Sequence, residues 1–211
     1  MESMRSRAKE HLPHVLLTLL SIIQALALEL YWSEVQGLDP VFELSVSAVA
    51  LWTQIATTFL GILVIWVVYA TTVMRFSWVP SISDSVVPFF VGILQFIMIE
   101  SLGIDSASVW FASLAMVFAV MQIESHTIMR RARQDPDNAE FFQQINPATL
   151  RDAIRPAAMV LILIGFAVYL SFQPDSPLVA AAGFTVSLGL LVSLMVFMNM
   201  FWKRTMGELN V

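Results

Sequence analysis

The chain has 211 residues, 58% of them hydrophobic and 13% charged, with a mean hydropathy of +0.77. Soluble domains carry about twice that share of charge and do not leave so much apolar surface facing water, so the composition excludes an ordinary soluble protein and points to a lipid bilayer. A net charge of -5 with no basic tail argues against nucleic acid as a partner, and the lack of cysteine removes disulfides, thiolate catalysis and cysteine metal ligation.

The N-terminal stretch MESMRSRAKEHLPH is charged and precedes an apolar run. That run ends in LELYWSEV, whose bulky residues offer no small-residue cleavage site, so it reads as a retained helix rather than a signal peptide. A helix needs about 20 apolar residues to cross the hydrocarbon core. Six stretches qualify: His14–Trp32, Val46–Ala70, Val86–Leu102, Ala107–Ile128, Pro156–Phe172 and Leu178–Trp202. Runs such as VLLTLLSII and VLILIGF do not alternate, which argues against barrel strands. The third and fifth spans are short and begin near Pro88 and Pro156, because a first-turn proline sacrifices no hydrogen bond. Residues 129–155 form the longest loop, in which Asn146-Pro147 and the following ATLRDAI predict a short amphipathic helix from about residue 147, with a solvated connector as the alternative. The expected fold is an all-α, six-transmembrane-helix bundle forming one polytopic domain over 1–211.

Charge sets the expected orientation. Arg5, Arg7 and Lys9 precede the first span; Arg75 follows the second; Arg130, Arg131, Arg133, Arg151 and Arg155 lie between the fourth and fifth; Lys203 and Arg204 follow the sixth. All eleven basic residues therefore fall at one end of the bundle, while the opposite loops hold Glu34, Asp39, Glu43, Asp105 and Asp175. The positive-inside rule then places both termini in the cytoplasm, with the plasma (inner) membrane as the expected location. Trp32, Trp78, Trp110 and Trp202 fall near span ends, where interfacial indoles are expected.

Two spans share a polar signature. IIQALALEL (22–30) and ILQFIMIES (93–101) each place Gln five residues before Glu, giving Gln24 with Glu29 and Gln95 with Glu100. The spans that follow end alike, in TTVMRF (71–76) and HTIMRR (126–131). Spans one and two thus read as a parallel repeat of spans three and four, about an axis along the membrane normal. Five positions turn a helix by about 140°, so one residue of each pair can face a pathway while the other faces a neighbouring helix. Gln24, Gln54, Gln95 and Gln122 are amides inside spans, suited either to interhelical hydrogen bonds or to a hydrated polar column. Glu29 and Glu100 fall near the outer interface, where they reach headgroup water or form the mouth of a cation or proton pathway. Gln122 and His126 share a helical face near the cytoplasmic end, Glu124 lies on another, and His126 reads first as an interfacial histidine.

Enzyme signals are missing. There is no phosphate loop, no Gly-x-Ser-x-Gly and no His-Glu-x-x-His, so no catalytic residue, cofactor or metal is expected. Small residues in AAAGFTVSLG (180–189) allow close helix approach in the last span, within the monomer or against a partner. Two functions fit. One is a small oligomeric channel or transporter for cations or protons, with Gln24, Glu29, Gln54, Gln95, Glu100, Gln122 and His126 as pathway or helix-contact candidates. The other is a non-catalytic accessory subunit of a larger membrane complex. The expected partners are the bilayer and either further copies of the chain or other membrane subunits.

Overall fold

The computed structural model describes residues 2–38, 45–143 and 150–205. Among them are seven helices: α1 (Glu2–Gly37), α2 (Val46–Arg75), α3 (Ile82–Glu100), α4 (Ala107–Arg133), α5 (Ala139–Gln143), α6 (Leu150–Phe172) and α7 (Pro177–Thr205). A 3-10 turn, Pro136–Asn138, precedes α5. Six of the helices are long and apolar enough to cross a membrane, as a multi-pass integral membrane protein requires. Large apolar side chains such as Leu26, Phe89, Leu161 and Phe172 face outward, as they do where the surrounding solvent is lipid.

Helix starts follow local chemistry. The Ser45 hydroxyl accepts the Ala48 N–H at 3.1 Å and caps α2. Asp84, three residues after Ser81, accepts the Ser81 N–H at 3.1 Å and closes the start of α3. That cap moves the helix start ahead of Pro88, which lies inside α3 rather than in its first turn. Likewise α6 starts before Pro156. The surface helix expected from residue 147 falls partly outside the described residues; from Leu150 onward the chain is the continuous first part of α6.

The helices pack as a bundle in which α1 and α3 lie side by side. α2 packs most extensively on α7, and α4 on α6, whereas α6 and α7 touch each other much less. One core cluster, around Trp110, Phe111 and Phe184, joins α4, α6 and α7. A second, around Leu20, Ile65, Val91 and Ile128, joins α1 to α4. Part of the small-residue run of α7 packs inside the monomer, while Ala182 and Gly189 are exposed. Ala180 and Ser187 are buried, and a side chain at Gly183 would meet Phe111 at 2.6 Å and Phe166 at 2.9 Å.

At the basic end the connections are tied together. Lys9 pairs with Asp135 and Asp137, both at 2.5 Å. Asn138 donates to the Ser77 carbonyl at 2.6 Å and the Ala132 carbonyl at 2.8 Å, and accepts the Ser77 N–H at 3.1 Å. The start of α1, the α2–α3 connection and the segment after α4 thus form one platform.

Candidate functional site

The polar residues of the spans separate into two kinds. Gln24 and Gln95 are buried between α1 and α3 and exchange hydrogen bonds, with each amide NH2 donating to the other carbonyl at 2.8 and 3.0 Å. Gln54 is fully buried; it donates to the Ser101 carbonyl at 3.2 Å and accepts the Gly103 N–H at 2.9 Å. Gly103 takes φ +125, a conformation open to glycine, which turns that N–H toward the amide. These three amides are helix contacts. Glu29, Glu100, Gln122 and His126 are instead exposed on the outside of the protomer. The two halves of each Gln…Glu pair therefore face opposite ways, as the five-residue spacing requires.

Single and double replacement should separate the amide pair's two roles. Gln95→Leu strands the Gln24 amide and is expected to destabilise the bundle by about 1–2 kcal/mol. Gln24→Leu with Gln95→Leu removes both polar groups and should recover most of that loss, read as detergent-solubilised unfolding midpoints. Equal loss in the single and double variants would rule out a pairing energy.

Trp78 and Trp110 are fully buried within the protein. Each indole N–H has a partner inside the protein, Asp84 at 3.3 Å and Thr58 at 2.9 Å respectively. Arg75 does not pair with Asp84. Its guanidinium lies over Phe201 at 4.7 Å and Trp202 at 5.4 Å, and Asp84 is taken by Arg131.

Asp84 is the centre of the basic-end network. It is 1% exposed. Arg131 Nη1 donates to both of its oxygens, at 2.7 and 2.6 Å, and the Ser81 hydroxyl donates at 2.6 Å. Close to this pair lies a partly enclosed cavity of about 30 Å3, lined by Leu20 of α1, Tyr69 of α2, Pro88 and Val91 of α3, and Glu124 and Ile128 of α4. Tyr69 and Glu124 are 8% and 9% exposed. The Tyr69 hydroxyl and Glu124 Oε1 are buried and have no hydrogen-bond partner among the described residues. Asp84 and Arg131 stand near enough to Glu124 to act on its charge. Among the described residues no group of three or more His, Asp or Glu is placed to hold a metal ion.

Buried polar groups ordinarily find partners, and a carboxyl within a membrane span is costly unless it works. The Glu124–Tyr69 cavity is therefore the candidate site: a carboxyl, a phenol and room for water, flanked by a fixed ion pair. Its signal in the sequence was a stripe. Val117, Glu124 and Ile128 follow helical spacing on the buried side of α4, and Ile62, Ile65, Tyr69 and Val73 do so on α2; a charge in such a stripe must be buried. Compared with models of protein families, with curated proteins and with solved structures, the chain matches none of them.

Proposed function

We propose that the protein is a membrane transport protein for protons or small cations, acting through the Glu124–Tyr69 cavity. The observation that carries this is a nine-tenths-buried carboxyl that lines a cavity inside a membrane-spanning bundle and whose Oε1 has no hydrogen-bond partner among the described residues. A structural role for Glu124 would call for a donor beside it, as Asp84 has. Glu29 and Glu100, exposed near the opposite end, add negative charge there and suit the attraction of cations. Positive-inside asymmetry supports a cavity near the cytoplasmic face, with both termini on that side.

The same geometry supports the parallel repeat. Gln24 and Gln95, equivalent in the first halves, bond reciprocally across α1 and α3. When Thr72-Val73-Met74-Arg75 is matched with Thr127-Ile128-Met129-Arg130, Tyr69 falls opposite Glu124, and both line one cavity. A duplicated position has become a phenol in one copy and a carboxyl in the other.

Purified protein in liposomes, with reporters for protons, Na+ and K+, tests the proposal. Flux above that of protein-free vesicles is expected, falling to the protein-free level in Glu124→Gln while the variant keeps its unfolding midpoint. Absence of flux for all three ions would refute it. An accessory-subunit function has its own support in the open apolar cleft of about 280 Å3 between α6 and α7, lined by Ile162, Gly165, Phe166, Tyr169 and Val179, which fits a partner helix. That function would show as a stable second polypeptide in native mass spectrometry and no flux.

A further inference from the structure

We propose that the species handled at Glu124 is the proton, passed through water between its carboxyl and the Tyr69 hydroxyl, and not a bound metal cation. This rests on the transport function proposed above. Cavity size supports it: about 30 Å3, at roughly 10–15 Å3 per water, accommodates about two waters. The oxygen count supports it too. A hard divalent cation takes six or more oxygen ligands. The lining offers the Glu124 carboxyl and the hydroxyls of Tyr69 and Ser125, with the Thr72 hydroxyl already donating to the Val68 carbonyl at 2.7 Å; the remaining side chains of the lining are apolar.

Charge placement points the same way. The ionisable groups around the cavity are Tyr69 from α2, Asp84 from α3, and Glu124 and Arg131 from α4; α1 contributes only Leu20 to its lining. Arg131 already neutralises Asp84. The charge left over is that of the Glu124 carboxylate, and a single proton on it removes a buried negative charge. The step balances as one transfer. A hydronium in the cavity gives its proton to a Glu124 carboxylate oxygen, an O–H bond forms there, and neutral water is left; release to a second water reverses it. The Tyr69 hydroxyl is placed to accept from one water and donate to the next.

Two readouts decide the matter. In pH-jump infrared difference spectra, a protonated-carboxyl band is expected that Glu124→Gln loses and that Glu29→Gln and Glu100→Gln keep. In liposomes, proton flux is expected to persist when Na+ and K+ are replaced by a large organic cation. Tyr69→Phe should slow that flux on the order of tenfold, the effect of one lost hydrogen bond, and leave the carboxyl band in place. Flux that requires Na+ or K+ would overturn the proton assignment and leave the transport function standing. A carboxyl band unchanged in Glu124→Gln would overturn it as well. Absence of flux for every ion would remove the transport function itself, and this assignment with it.

Discussion

Replacing Arg131 by Ala is expected to be among the most damaging single changes at the basic end, at about 3 kcal/mol. That is the lower end of the cost of removing one partner of a buried ion pair, because the Arg131 side chain remains 25% exposed while Asp84 is 1% exposed. The loss comes from what is left behind. Asp84 keeps its bonds from Ser81 and Trp78, but its charge has no cation, and α3 and α4 lose their polar link. Arg131→Lys should retain most of the stability, since a single nitrogen, Nη1, makes both contacts. Arg131→Gln combined with Asp84→Asn should be less harmful than Arg131→Ala alone, because no uncompensated charge is buried. Unfolding midpoints in detergent, taken as a double-mutant cycle, measure this. Independent, additive effects of the two positions would contradict the pairing.

Trp110→Ala is expected to cost about 3–5 kcal/mol, the range for emptying a large aromatic site in a core. The ring is fully buried. It meets Phe111 and Phe184 edge-on, with centroids 5.1 and 5.0 Å away, while those two rings stack at 4.9 Å. Lipid tails are as apolar as the core, so this loss is one of packing contacts rather than of transfer from water. Trp110→Phe separates the parts. It keeps an aromatic ring and removes the N–H bond to Thr58, and should cost about 1 kcal/mol from the bond plus a smaller cavity term. A midpoint for Trp110→Ala within error of the parent would show that this cluster does not hold α4 to α7.

Composition, spacing and charge determined the helical class of this protein and the number of candidate spans. Apolar runs of membrane-crossing length leave the backbone few alternatives to helix, so length and hydropathy suffice. The helical turn also determined that Gln24 and Glu29, like Gln95 and Glu100, would face different ways. Boundaries were less legible. Asp84 extends α3 ahead of Pro88 by capping, and a cap is a contact among three or four residues that hydropathy does not register.

Only the tertiary structure decided which polar residues meet. A sequence states the spacing along one helix but not the rotation of one helix against another, and that rotation is set by side-chain packing across α1, α2, α3 and α4. It turned Gln24 onto Gln95 and Gln54 onto the Gly103 loop, placed Arg131 on Asp84, and buried Trp78 and Trp110. The same rotation brought Tyr69 and Glu124, 55 positions apart, to one cavity, although Glu124 carries no motif and its neighbours Gln122 and His126 face outward.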